Sequence, residues 1–273
     1  MTSTSPAPPA GSVVRCRRRL RSAAVLAAGP LRSVADPLSG PRARRHRAVC
    51  AAARLLTALD VRVRVIPSPV AWPRSDRGPG LLVVANSAGP LDLLALLTVL
   101  PAAVPADRGA GRVPGVRLPT VPATVGAVAD ALTRGTPVLV RPEQPARAGA
   151  ALGRFSPTLF AAAVDRGAAV CPVAVRYRCE GGPPLAGASL RWALAARGVV
   201  VDVHLLPALA ATGVSPAELA TLAEYAVADV LEGPPRARPQ PSVTFPSTTT
   251  RRRVVSTAAS IRRSWVTRSR VPR

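Results

Sequence analysis

The sequence predicts an α/β protein, a single domain in which a mixed sheet is flanked by helices. Three observations predict it. Short apolar runs that suit strands alternate with longer segments that suit helices from residue 44 to residue 233. The chain has 273 residues and no internal repeat, which keeps it within the roughly 250 to 300 residues that one core can serve. Hydrophobic residues make up 48% of it but aromatics only 3%, so the core has to be filled by Ala, Val and Leu.

Taken in order, residues 46–59 read as a basic amphipathic helix, and Val61-Arg62-Val63-Arg64-Val65 alternates as a half-buried strand does. The unbroken apolar run of residues 81–85 suits a strand covered on both faces. Residues 91–100 follow as a helix, with Pro90 suited to its first turn. Residues 124–134 form the next helix, stopped by Gly135, and lead into strand 137–141. Ser156-Pro157 starts a helix that Gly167 ends, and strand 169–177 succeeds it. Strand 199–206 precedes the last helix, where Ser215 and Glu218 have capping-box spacing, Pro216 takes the first position and Gly233 lies beyond the end. In that strand Asp202 and His204 alternate with Val201, Val203 and Leu205, the pattern of an edge or half-exposed strand with one polar face. Residues 1–43 and 234–273, rich in Arg, Pro and Ser, fall outside the domain as tails.

All 37 basic residues are Arg, and with 31 Pro and 20 Gly this marks a GC-rich coding bias, so Arg abundance alone does not signal a nucleic-acid site. Placement says more than number. Residues 1–54 hold eleven Arg against one acid, Asp36, and residues 251–273 hold eight Arg against none, so the two ends carry most of the net charge of +23. Such ends read either as solvated tails or as attachments to an anionic lipid surface, where each nearby Arg contributes about 1 kcal/mol. Nucleic acid is not an expected partner, because these two basic ends, residues 1–54 and 251–273, offer Trp265 as their stacking aromatic and no reader motif. The longest apolar region, residues 81–104, is broken by Asn86, Ser87, Gly89, Pro90 and Asp92, so no bilayer span of about 20 apolar residues is expected. The apolar run after Arg15-Cys16-Arg17-Arg18-Arg19 stops at Gly29-Pro30, which argues against an export signal. Four cysteines without metal-ligand spacing, Cys16, Cys50, Cys171 and Cys179, read as reduced and structural, and two histidines are too few for a His-based metal site. No dinucleotide or phosphate-loop fingerprint occurs.

The chemistry-bearing residues lie at strand ends. Strand Leu81-Leu82-Val83-Val84-Ala85 runs into Asn86-Ser87-Ala88-Gly89-Pro90-Leu91-Asp92. Strand Val138-Leu139-Val140 runs into Arg141-Pro142-Glu143-Gln144-Pro145-Ala146-Arg147, followed by Gly153 and Phe155, and then by Val170-Cys171-Pro172-Val173-Ala174-Val175. In order and spacing, over roughly residues 44–232, this resembles the glycerolipid acyltransferases that esterify 1-acylglycerol-3-phosphate. That family carries Asn-His, four further residues and Asp at the first strand end, and Pro-Glu-Gly-Thr-Arg at the second. Here Ser87 stands at the His position, Gln144 at the Gly position, and Arg147 lies one residue later than the family's Arg.

The resemblance implies a glycerol-3-phosphate acyltransferase-like fold and transfer of a fatty acyl group to a lysolipid hydroxyl. It implies no resident cofactor, with acyl-CoA or acyl carrier protein as co-substrate, and a cytoplasmic protein peripheral to the inner face of the cell membrane. A hydroxyl is a poor nucleophile, so the family's His removes its proton while the Asp orients the imidazole. The resemblance therefore nominates Asp92 and Ser87 as the catalytic positions and Asn86, Glu143 and Arg147 as substrate-binding, with Arg141 a further candidate for the phosphate because its fork holds two oxygens. Read on their own, Ser87 and Asp92 are equally ordinary helix-start residues, and Arg141 a solvated strand-end Arg. Ser87 is no base, since a hydroxyl stays protonated near neutral pH, and His204 is the displaced alternative. Parallel strands that end on motif residues should be neighbours with a shared cleft at their carboxyl ends, lined by Asn86, Asp92, Glu143 and Arg147. Two functions follow: an O-acyltransferase of phospholipid synthesis, or a catalytically impaired relative that holds lipid or docks on a partner at the membrane.

Overall fold

A run of apolar residues too short for a helix and flanked by breakers has one good use, a covered strand, and the centre of the molecule is built from four of them. The computed structural model describes residues 40–73, 78–89, 91–106, 118–145, 152–180, 182, 184–185, 196 and 198–233. Helix α1, Pro41–Ala58, leads into β1, Val61–Ile66. Strand β2, Leu82–Ala85, is followed by α2, Asp92–Val99, then by β3, Val104–Ala106, and β4, Thr120–Pro122. Helix α3, Val125–Thr133, and β5, Val138–Val140, precede α4, Phe160–Arg166, and β6, Val170–Cys179. Strands β7, Pro184–Leu185, and β8, Val199–Leu205, precede the last helix, α5, Pro216–Glu232.

The main sheet has the order β1-β8-β6-β2-β5, with β7 beside β6. Strand β2 is parallel to both β5 and β6, β8 is antiparallel to β6 and parallel to β1, and the sheet is mixed as expected. One face buries Val83, Ala85, Val173, Val175, Tyr177, Val201 and Val203 under Leu55 and Leu56 of α1 and Leu93 to Leu97 of α2. The other buries Leu82, Val84, Val138, Val140, Val170 and Ala174 under Val128 and Leu132 of α3, Phe160 of α4 and Leu219, Ala223 and Val227 of α5. Small side chains suffice because strands and helices lie close. No helix among the described residues is long and apolar enough to cross a membrane.

Local signals set several element ends. Thr124 accepts the Ala127 N–H at the start of α3, and Gly167 takes the left-handed conformation (φ 58°) that closes α4. The Ser215–Glu218 capping box forms in full at α5. Other expectations need correction. Helix α1 begins at Pro41, five residues earlier than its apolar periodicity marks, because proline suits a first turn and the arginines after it continue a helix readily. Helix α4 begins at Phe160, since residues 157–159 form a turn and Ser156 pairs with the Thr158 hydroxyl. Strand β8 is neither an edge nor half-exposed: it lies between β1 and β6, and Asp202 is buried there by ion pairs to Arg64 and Arg178. The pair β3 and β4, each three residues containing a proline, had no periodic signal to announce it.

Candidate active site

The site grows from the carboxyl ends of β2 and β5, adjacent parallel strands. Asn86 ends β2 with a side chain that acts as extra backbone: Nδ2 donates to the Val175 carbonyl (3.1 Å) and Oδ1 accepts the Val175 N–H (2.7 Å). The ladder to β6 thus continues past the strand. The chain then turns, and Asp92 opens α2, where a carboxylate favours the positive end of the helix. Its Oδ2 accepts the Gly89 N–H (2.7 Å) and its Oδ1 accepts the Tyr177 hydroxyl (2.8 Å), while Tyr177 Oη accepts the Leu91 N–H (3.1 Å). Asp92 is wholly buried. Burial pushes its carboxyl up from 3.8 to about 6, against the opposing pull of the Gly89 N–H, the Tyr177 hydroxyl and the Arg141 charge. Burial raises the Tyr177 hydroxyl as well, reinforced by the charge and hydrogen bond of Asp92.

The second motif closes on the same turn. Glu143 Oε2 accepts the Ser87 N–H (2.6 Å) and Oε1 accepts the Gly153 N–H (2.9 Å). Residues 142–145 and 153–156 run antiparallel, with Gln144 N–H on the Arg154 carbonyl and Ser156 N–H on that of Pro142. Gly153 is required there, because a Cβ would stand 1.9 Å from the Gln144 carbonyl oxygen. From α5, Glu224 accepts the Phe155 N–H and ties this arch to the body (2.9 Å).

Between the turn and β5 lies a cavity of about 230 Å3 lined by Ser87, Leu93, Val104, Pro105, Leu139, Val140, Arg141 and Leu159. A hydroxyl and a guanidinium therefore share a recess with six apolar side chains. That is a lining suited to an anionic amphiphile.

The predicted site residues divide accordingly. Ser87 and Arg141 line the cavity, and Glu143 holds the backbone of Ser87. Asn86 and Asp92 do not line it, contrary to the expected shared cleft, because their polar atoms are engaged by Val175, Gly89 and Tyr177. Arg147 lies outside the described residues. His204 pairs with Ala174 across the ladder and alternates with Val203, so it belongs to the face opposite Asp92 and Tyr177, with the sheet between them. That position takes it out of consideration as a displaced base at Asp92. Sequence reasoning missed Tyr177, although a tyrosine in an otherwise apolar buried strand signals that its hydroxyl has a specific partner.

No family model matches the chain, and no curated protein matches it in sequence. Its fold, a mixed sheet between two helical layers with a polar turn closing a central parallel strand, is similar to that of a glycerophosphate acyltransferase. The particular likeness is to the crystal structure of the 1-acyl-sn-glycerophosphate acyltransferase PlsC from Thermotoga maritima. The TM-score is 0.56 at 20% identity, over 81% of this chain and 94% of that one.

Proposed function

We propose that the chain is a lysophospholipid acyltransferase-type protein. Its cavity receives a 1-acylglycerol-3-phosphate-like acceptor, and its reaction moves an acyl group from acyl-CoA or acyl carrier protein to the acceptor hydroxyl. The observation that carries this reading is the meeting of the Ser87 turn and Arg141 at one apolar recess, held there by Glu143 from the second motif. Arg141 faces the acceptor's phosphate, and Leu93, Leu139 and Leu159 meet its hydrocarbon. The Arg-rich ends hold the protein on anionic lipid at the cytoplasmic face of the membrane, where such an acceptor resides.

A second reading has its own support. Ser87 stands where the family carries its base, and Asp92 is already occupied by Tyr177, so the protein binds the lipid and transfers little. Loss of general-base catalysis costs about 10²- to 10⁴-fold in rate.

The two readings separate in one assay of acyl transfer and lysolipid binding, with a panel of acyl donors and lysolipids, on wild type, Ser87→Ala, Ser87→His, the Ser87→His, Asp92→Ala double mutant and Arg141→Ala. Slow transfer by wild type, raised in Ser87→His and dependent on Asp92, supports the enzyme. Binding that Arg141→Ala abolishes, with no transfer by any folded variant, supports the lipid-holding protein. Lysolipid binding and transfer that are both indifferent to Arg141→Ala and Ser87→Ala would remove this cavity from either account.

A further inference from the structure

The turn that begins at Ser87, a residue lining the cavity, is gripped from two directions. Glu143 takes the N–H of Ser87 from outside the sheet. From within the core, a closed chain of bonds runs from Leu91 N–H to Tyr177 Oη, from the Tyr177 hydroxyl to Asp92 Oδ1, and back from Asp92 Oδ2 to Gly89 N–H. We infer that Tyr177 is a positioning residue of this site, acting through Asp92 to hold the Ser87 turn against the cavity. It touches no ligand itself. The inference rests on the proposed function only in treating the turn as a binding element.

The physical case is one of accounting for donors and acceptors. A carboxylate with no solvent exposure keeps its charge only if its lone pairs are met by donors, and here they are met by the Gly89 N–H and the Tyr177 phenol, with the Ala88 N–H contributing as well. The phenol's own lone pair is taken by the next backbone N–H of the turn, so the hydroxyl joins two turn amides, one directly and one through Asp92. Arg141, at the end of β5, adds a favourable charge; β8 presents Val201 and Val203 to this side of the sheet; and α1 presents Leu55, Leu56 and Leu59. Asp92, with Tyr177 on one oxygen and Gly89 on the other, is an acid that fixes a turn.

Amide hydrogen exchange and a carboxyl-carbon NMR titration on the full chain, without substrate, test this on wild type and Tyr177→Phe. The phenylalanine keeps the ring and deletes the hydroxyl. Exchange at Leu91 and Gly89 should accelerate about tenfold, the equivalent of one lost hydrogen bond. The Asp92 titration should move upward from its wild-type midpoint, because a donor to the charged form has gone. A purely structural tyrosine would leave that midpoint in place, and an unchanged midpoint with unchanged Leu91 exchange overturns the inference. If Tyr177→Phe does not fold, Asp92→Asn decides: faster exchange at Gly89 and Leu91 upholds the latch, and wild-type exchange there overturns it. Neither measurement involves acyl transfer, so an inactive protein refutes the enzyme reading without touching this one.

Discussion

Asp92 shows how a single buried carboxylate is used by the residues around it. As a helix-start carboxylate it has a local reason to exist, and in this chain its oxygens serve Gly89 and Tyr177. Burial without an imidazole raises its carboxyl to about 6 from 3.8 in an unstructured chain. The folded protein therefore holds this proton to higher pH than the unfolded chain, and stability falls as pH rises from about 4 to about 6, then stays level. Over that window the cost is on the order of 3 kcal/mol, taking 1.36 kcal/mol for each pH unit of difference. Asp92→Asn, which has no proton to lose, should be less sensitive to pH by that amount when urea midpoints are compared at pH 4 and pH 7. Parallel pH profiles of the two proteins would show that Asp92 is already well solvated or fully paired. Asn86 makes the complementary point: its amide was legible as a motif position, but its use as a splint between β2 and β6 depends on Val175, 89 residues away.

At the level of elements, the arch of residues 142–145 and 153–156 is the device that joins the two motifs. Glu143 reaches Ser87 because Gly153 lets the return strand approach to a distance no side chain permits. Gly153→Ala must push the arch open, costing about 1 to 3 kcal/mol as overpacking does, and should free the Ser87 amide to exchange faster. Equal stability and equal exchange in Gly153→Ala would mean that the arch is loose. Strand β8 gives the opposite lesson. Alternating polar residues in it read as an open face, but Arg64 meets Asp202 with two bonds (2.7 and 2.9 Å) and Arg178 adds a third (2.9 Å), so the carboxylate is buried beneath arginines of which Arg64 stays exposed. Arg176 likewise closes the end of α5 on the carbonyls of Leu231 and Gly233, where a cation suits the helix.

For the whole molecule, the placement of charge is the property that local structure does not decide. With eight Arg and no acid in residues 251–273 and a similarly basic start, we propose attachment to anionic lipid. Vesicles containing anionic phospholipid should bind the protein, neutral vesicles should bind it weakly, and raising salt from about 0.1 M to 1 M, which cuts the screening length from about 10 Å to 3 Å, should release it. Deleting residues 251–273 should weaken the binding. Salt-independent binding to neutral vesicles would assign attachment to apolar insertion instead.

The sequence by itself determined the mixed α/β class, the order along the chain of the elements that build the main sheet and the two strand ends that carry polar motifs, because hydrophobic period, caps and breakers are local and each is written within a few residues. It also determined that position 87 holds no base. The rest was decided by tertiary structure. Only packing made β8 an interior strand, put His204 behind the sheet from Asp92, drew Asn86 into the framework and gave Asp92 a tyrosine for a partner. Those outcomes depend on residues far apart in the chain meeting, Asp92 and Tyr177 at 85 positions and Arg64 and Asp202 at 138, and no local propensity encodes which distant side chain will stand opposite a buried polar group.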